Sequence, residues 1–337
     1  MARNTVLAAA LAAGLAACST SEPVQNDVQG PAPTSPAIDP SDFLLRVGVL
    51  AHDSMAGRAT PSPGLEAAAG YIASEFERLG LRGGGDAGGF LQWYDTPSGD
   101  GPAPNVVGIL DGRDPELREQ YVVLSAHMDH VGMREPDESG DSIWNGADDN
   151  ASGTAAVLEV AEAMAALDPG PRRSVVFLLV SGEERGLWGS AHFAENPPVP
   201  LEAMVANVNA DMVGRNWTDT IVAIGKEHSD LGATLERVNA AHPELGMTAI
   251  DDLWPEENFY RRSDHYNFAR RGVPALFFFN GVHEDYHGRD DEVEKILEDK
   301  ASRVARLMHL LVLEVANADQ PPQWNPESYR EIVEQGR

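Results

Sequence analysis

Short apolar runs, separated by segments of helical periodicity, constrain the fold of this chain most. Residues 174–180 (SVVFLLV) and 275–279 (ALFFF) are continuous apolar runs of strand length, typical of central strands covered on both faces. Strands that alternate with helices predict an α/β fold with three layers. The other predicted strands are residues 106–110, 121–126, 204–210 and 220–224, and the predicted helices are residues 41–50, 64–79, 154–167, 187–194, 231–241 and 299–315.

The composition is uniform between Ser41 and Gln320, which predicts one folded domain over residues 41–320. Ser41 is the expected N-cap of the first helix. Residues 18–40 contain few apolar side chains and many Pro, Ser and acidic ones, so we expect a flexible tether there. The polar, proline-containing tail over residues 321–337 either wraps around the domain or stays loose.

The N-terminal residues predict an export signal. Arg3 precedes a run of mostly Ala and Leu that is too short to span a bilayer as a mature helix. The run ends in LAAC, which resembles the lipobox of bacterial lipoproteins. The resemblance implies that residues 1–17 are removed and Cys18 is lipidated, whereas an ordinary signal peptide with an incidental Cys18 is the alternative. The expected location is the cell envelope, at the periplasmic face or outer membrane of a Gram-negative host.

Charge and cysteine content exclude several classes of site. The formal net charge of −28 argues against nucleic acid as a partner, because phosphate contacts need clustered Lys and Arg. Cys18 is the only cysteine, so the chain can form neither an internal disulfide nor a thiolate metal site within the fold. A metal ion in this domain would therefore be bound by His, Asp and Glu.

Histidine and carboxylate side chains cluster next to the predicted strands and the longest Ala-rich helix. Because ligands of α/β folds bind beyond the carboxyl ends of the strands, we expect these side chains at one edge of the sheet. Imidazole nitrogen and carboxylate oxygen both bind zinc, and a carboxylate can bridge two ions. The side chains are His127, Asp129, His130, Asp148, Asp149, Glu183, Glu184, Asp211, His283, Glu284, Asp285 and His287.

A series of motifs carries a family resemblance. AHMDHVG, NGADDNASGTAAVLEVA, SGEERGLWGS, NADMVG, RRSDHYNF and DYHGRDDEVEKI, in this order, resemble the M28 zinc aminopeptidase family, and LAHDSMAGR resembles an upstream segment of many members. Each motif alone is common by chance, and the specificity comes from their order. The resemblance covers about residues 50–313. It implies a central mixed, mostly parallel sheet between helix layers.

The resemblance also implies the site. We expect two Zn²⁺ per chain and a cis peptide bond between Asp149 and Asn150. Glu183 would be the general base and acid, Tyr286 would polarise the substrate carbonyl, and Asp129 would hold the ring of a histidine ligand. The implied ligands are His127 and Asp211 for one zinc, Glu184 and His287 for the other, and Asp149 for both.

The function implied is removal of N-terminal residues from peptides by a monomeric metallo-exopeptidase. One alternative is a glutaminyl cyclase, an acyltransferase of the same fold that works with one zinc. Another is a binding protein on an inactive peptidase fold. These alternatives are less favoured because the sequence keeps every residue for two metals.

Several residues have two interpretations. His130 and His265 either line the substrate pocket or are structural, and Asp148 is expected to be a turn residue rather than a ligand. The aromatic residues Trp254, Phe259 and Tyr260 either form a specificity pocket or cap the core.

Overall fold

The computed structural model describes residue 1, residues 34–138 and residues 140–336. Apart from Met1, the predicted signal peptide lies outside the described residues, as do Cys18 and most of the predicted tether. The helices are α1 (Pro40–Leu50), α2 (Pro63–Arg78), α3 (Gly153–Ala165), α4 (Trp188–Glu195), α5 (Asp230–Ala241), α6 (Tyr266–Ala269), α7 (Glu298–Asn317) and α8 (Pro326–Tyr329). The strands are β1 (Arg82–Gly83), β2 (Leu91–Asp95), β3 (Pro102–Leu110), β4 (Tyr121–His127), β5 (Gly132–Met133), β6 (Ile143–Trp144), β7 (Ser174–Val180), β8 (Met204–Asp211), β9 (Thr220–Ile224), β10 (Thr248–Ile250) and β11 (Ala275–Phe279).

The main sheet is mixed, with a parallel centre. Its strand order is β1-β3-β7-β4-β8-β11-β9-β10, and β2 also pairs with β3. Strands β7, β4, β8 and β11 run parallel to one another, whereas β3 and β9 join this group antiparallel. The carboxyl ends of the four central strands therefore meet at one edge, which is where a site in such a fold is expected.

Apolar side chains cover both faces of the sheet, which gives the three layers. In β7, alternate residues point to opposite faces: Val175, Phe177 and Leu179 belong to a large core cluster under α1, α2, α3 and α7. Val176 and Leu178 belong to a smaller cluster on the other face. This architecture confirms the predicted α/β fold class. Within the described residues, the structure contains no helix that combines the length and hydropathy needed to cross a membrane.

The structure differs from the sequence-based prediction in the segment before β3. The prediction that Ser41 caps α1 is wrong, because the cap is Asp39, whose carboxylate accepts the backbone N–H groups of Ser41 and Asp42. A further strand, β2, precedes β3, although no strand was predicted there. Its pattern alternates between half-exposed and buried residues, as expected for an edge strand.

The C-terminal tail packs back onto the domain. The indole Nε1 of Trp324 donates a hydrogen bond of 2.9 Å to the carbonyl of Gly272. Ile332 and Val333 are buried in a third apolar cluster, together with Phe277 and Phe279 of β11. Residues 321–336 thus wrap around the domain rather than extending away from it.

Candidate active site

Two strand ends form the first part of the site. His127 is the last residue of β4 and Asp211 is the last residue of β8, the neighbouring parallel strand. The Nε2 atom of His127 lies 3.3 Å from Oδ1 of Asp211 and 3.4 Å from Oδ1 of Asp149. These three side chains, which we call the first corner, are close enough to bind one metal ion. Burial alone would lower the pKa of His127, but the carboxylates of Asp211 and Glu183 raise it well above its usual value.

Two loops form the second part of the site. The Nε2 atom of His287 lies 3.0 Å from Oε2 of Glu184 and 3.1 Å from Oδ2 of Asp149. We call these three side chains the second corner. Burial opposes the charge of His287, but the two neighbouring carboxylates raise its pKa to about 10. The Nδ1 atom of His130 lies 3.0 Å from Oε1 of Glu184, and His130, Asp149 and Glu184 also offer ligand atoms close enough to hold one ion.

Asp149 connects the two corners. Its Oδ1 atom faces His127 and its Oδ2 atom faces His287. Burial, together with the charge of Glu184, raises the pKa of Asp149, so the carboxylate is poorly stabilised without a cation. A buried set of imidazole nitrogens and carboxylate oxygens with one shared carboxylate fits a pair of zinc ions. The Asp149–Asn150 peptide bond is cis, as the family resemblance implied.

The loop of Asp149 is held from behind by Asp291. The Asp291 carboxylate accepts the backbone N–H of Asp148 at 2.9 Å and that of Asp149 at 3.0 Å. Asp148 itself accepts hydrogen bonds from the hydroxyl of Ser152 and the N–H of Gly214, and its Oδ2 lies 3.4 Å from Nε2 of His283. These contacts indicate that Asp148 stabilises the loop.

Glu183 and Glu184 are neighbours in sequence but take different positions. Glu184 belongs to the second corner, whereas Glu183 lines the cavity beside the first corner. Burial raises the pKa of Glu183 well above its usual value, although His127 partly opposes this shift. A carboxyl group with a raised pKa is suited to accept and return a proton near neutral pH.

Asp129 contacts both His127 and the segment that carries Glu183. Its Oδ1 atom accepts the backbone N–H of Glu183 at 3.3 Å and lies 3.6 Å from Nδ1 of His127. Its Oδ2 atom accepts the hydroxyl of Thr60 at 2.9 Å. The Nδ1 atom of His127 also lies 3.2 Å from the carbonyl oxygen of Asp129. Contacts of this kind fix the orientation of a ligand histidine.

A cavity of about 50 Å³ opens next to the first corner. Its walls include Met212, Phe259 and Val282, in addition to Phe277 and Phe279 of β11. Tyr286 also lines the cavity, and its ring stacks on His287 with the ring centroids 3.9 Å apart. The lining thus combines apolar side chains with polar ones, which are His127, Asp149, Glu183, Asp211, Arg262 and Ser263.

The aromatic loop divides between the cavity and the core. Phe259 lines the cavity, while Trp254 packs behind it against Phe279. Tyr260 is buried in the apolar cluster beneath the cavity wall. His265 is also buried, and its ring stacks on Phe277 at a centroid distance of 4.4 Å. Of these aromatic residues, Phe259 thus lines the cavity, whereas Tyr260 and His265 are buried within the domain.

The sequence model of peptidase family M28 matches residues 105–312, which is more than half of the chain. The chain belongs to this family. Among curated relatives, a probable zinc metalloprotease of Pyricularia oryzae is 26% identical over 331 residues, covering 82% of this chain and 63% of the relative. Aminopeptidase YwaD of Bacillus subtilis is 24% identical, covering 65% of this chain and 46% of the relative. This M28 chain thus spans about half to two thirds of the length of such relatives.

Solved structures share the fold of this M28 peptidase. The LapA aminopeptidase of Legionella pneumophila superposes with a TM-score of 0.65 at 21% sequence identity, covering 84% of this chain and 73% of LapA. BSAP, a zinc aminopeptidase from Bacillus subtilis, superposes with a TM-score of 0.66 at 14% identity, covering 85% of this chain and 97% of BSAP. At these identities, the likeness shows a common fold.

Sequence reasoning missed the role of Arg58 in this M28 fold. Its buried guanidinium donates hydrogen bonds to four backbone carbonyls, which connect the loop after β4 to the loop that leads to Asp149. The motif LAHDSMAGR, in which Arg58 is the last residue, was the available signal. The motif gave no role, because every partner of this side chain is a backbone atom. The acceptors are the carbonyl oxygens of Leu50, Met128, Asn145 and Gly146.

Proposed function

We propose that this M28 peptidase is a two-zinc aminopeptidase, which removes N-terminal residues from peptides. The main observation for this proposal is the position of Asp149. Its two carboxylate oxygens face two separate sets of histidine and carboxylate groups. A hydrolase with one metal ion would need only one of these sets. Relatives named aminopeptidase and zinc metalloprotease support the same activity.

The side chains around the cavity have complementary tasks in this proposal. Zinc ions at the two corners would activate water and polarise the scissile carbonyl. Glu183, with its raised pKa, accepts the proton of the attacking water and returns it to the leaving amine. Asp129 keeps His127 oriented through its contact with Nδ1. Tyr286 stands in the cavity wall, where its hydroxyl can donate a hydrogen bond to the substrate carbonyl.

We infer from the cavity that the enzyme prefers substrates whose N-terminal residue has an apolar side chain. It is small, and Met212, Phe259, Phe277, Phe279 and Val282 line it together with Arg262 and Ser263. An N-terminal Leu, Met or Phe side chain would bury apolar surface there, which contributes about 25 cal/mol per Å². The peptide bond after that residue would then lie beside Glu183.

For the location of the enzyme, we propose attachment to the cell envelope through lipidated Cys18. The support is the sequence LAAC at the end of an apolar run. The substitution Cys18→Ser should move the protein from the membrane fraction to the soluble fraction of its host. Retention of the variant in the membrane fraction would contradict the anchor.

The first experiment measures metal content and activity together. Purified protein should contain about two zinc ions per chain and release nitroaniline from an apolar aminoacyl-nitroanilide, and a chelator should abolish the release. A panel of aminoacyl-nitroanilides then identifies the preferred side chain. One zinc per chain with cyclisation of glutaminyl substrates would indicate an acyltransferase instead. Neither zinc nor turnover would leave a binding protein on this fold.

A further inference from the structure

His130 is a buried histidine beside the second corner that the implied ligand set does not use. Only 1% of its surface is exposed. Its Nδ1 atom lies 3.0 Å from Oε1 of Glu184 and 3.7 Å from Oδ2 of Asp149. This position raises the question whether His130 is an additional metal ligand or a hydrogen-bond donor to a ligand.

The two oxygens of Glu184 have different partners. Its Oε2 atom lies 3.0 Å from Nε2 of His287, and Oδ2 of Asp149 lies 3.1 Å from the same nitrogen. His130, Asp149 and Glu184 also offer ligand atoms close enough together to hold one ion, so His287 and His130 are both candidates for this place. The Nδ1 atom of His130 instead contacts Oε1, the other oxygen of the Glu184 carboxylate.

The second nitrogen of His130 favours the donor role. A histidine that binds a metal through one nitrogen almost always donates its other N–H to a carboxylate, carbonyl or water. His127 fits this rule, because its Nδ1 atom contacts Asp129 while Nε2 faces the first corner. Among the described residues, Nε2 of His130 has no hydrogen-bond partner. With its proton on Nδ1, the neutral ring leaves no N–H group unpaired, since Nε2 is then an acceptor.

We propose that His130 is a positioning residue, which donates its Nδ1–H to Oε1 of Glu184 and so leaves only Oε2 for the second zinc. This inference rests on the two-zinc function proposed above. The hydrogen bond would fix the orientation of the Glu184 carboxylate toward an ion at the second corner. Hydrogen bonds of this kind to ligands typically contribute about 10–100-fold to metal affinity.

The backbone around His130 holds its ring in this position without a metal. The N–H of His130 donates to the carbonyl of Arg58 at 3.2 Å. The side chain of Arg58 donates hydrogen bonds to the carbonyls of Met128 and Gly146. Gly146 has a φ of +57°, and a Cβ atom there would lie 2.5 Å from Cγ of His130. The imidazole is thus confined between two loops that Arg58 connects.

The test compares His130→Asn with His130→Leu. The side-chain amide nitrogen of Asn occupies about the position of imidazole Nδ1, so it can donate to Glu184, but an amide nitrogen does not bind zinc. Leu fills similar space and can do neither. We expect His130→Leu to weaken the second zinc by about 10–100-fold and His130→Asn to stay within about threefold of wild type.

The readouts are zinc affinity by chelator competition and the visible spectrum of the cobalt-substituted protein. His265→Leu is the matched control, because it removes another buried histidine, which packs against Phe277, and it should leave zinc affinity unchanged. Thermal unfolding of each variant measures the loss of packing separately.

Each outcome decides the matter. Equal weakening in His130→Asn and His130→Leu, with an altered cobalt spectrum, would make His130 a ligand and overturn the inference while the two-zinc function stands. Unchanged affinity in both variants would overturn it too. A wild-type protein that binds a single zinc at all concentrations would overturn the two-zinc function, and with it the role of His130.

Discussion

The two corners of the site are built from different kinds of structure. His127 and Asp211 end neighbouring parallel strands, so the hydrogen bonds of the sheet fix their separation. Glu184 and His287 lie on loops, and His287 is 35% exposed, with a φ of +50°. The first corner is therefore organised by the sheet, whereas the second depends on the conformation of two loops. We expect the second corner to lose its metal ion first during removal by a chelator.

The adjacent glutamates give the sharpest test of this comparison. Glu183→Gln should lower kcat by about 10³-fold and leave both zinc ions bound, because Glu183 transfers protons without belonging to either corner. Glu184→Gln should remove the second zinc and leave the first. Metal analysis of the two variants beside nitroanilide kinetics distinguishes these effects. Loss of zinc from Glu183→Gln would place this residue among the ligands.

Removal of one histidine from each corner tests their independence. A structural zinc site contributes about 10–16 kcal/mol over its ligands, so losing one ligand should weaken the ion by about 100-fold or more. His287→Leu should affect only the second zinc. His127→Leu should affect the first and preserve the second. Calorimetric titration of each metal-free variant checks this, and joint loss of both ions in His287→Leu would contradict separate corners.

Removal of the Arg58 side chain should affect both corners alike. Arg58→Ala leaves four buried carbonyl groups without their donor, and we expect it to lower the free energy of unfolding by about 3 kcal/mol or more. Since the same side chain connects the loops of both corners, both zinc affinities should fall together. Urea unfolding and zinc titration measure these effects. Arg82→Ala, which removes an exposed ion pair with Asp111, is the control.

The dependence of zinc affinity on pH should be the mildest effect. In the metal-free protein, carboxylates raise the pKa of His287 to about 10 and that of His127 well above its usual value. Zinc needs the neutral imidazole, so binding expels a proton at any pH below the raised pKa. Affinity at each corner should therefore fall about tenfold for each unit of pH decrease between 8 and 6. Chelator competition across this range checks the slope, and a flat profile would contradict it.

The sequence predicted the parts of the fold that depend on local pattern. The predicted bounds of β7, β9 and β11 agree with the structure. Each is a short apolar run between polar segments, which is the pattern that a buried strand produces. The start of α1 was missed, since Asp39 and Ser41 are both good caps and only the backbone geometry selects Asp39. The contacts of Asp291 with the loop of Asp149 were also missed, because they join residues 142 positions apart through backbone N–H groups.

The implied ligands illustrate a second limit. His127 and Asp211 lie close together because they end two neighbouring parallel strands. No periodicity indicates which oxygen of Glu184 faces His287 and which faces His130. That choice arises from the path of two loops, and the sequence pattern carries no information on it. The roles of these residues remain predictions until metal binding is measured.

The packing of the C-terminal tail has a consequence for the evolution and engineering of selectivity. Ile332 and Val333 share an apolar cluster with Phe277 and Phe279, whose other contacts form the wall of the cavity. Residues 330–334 thus lie in the same apolar cluster as two side chains that line the cavity. Libraries aimed at new substrate preferences should therefore vary Ile332 and Val333, because these positions can change the cavity lining without altering any residue of the two corners.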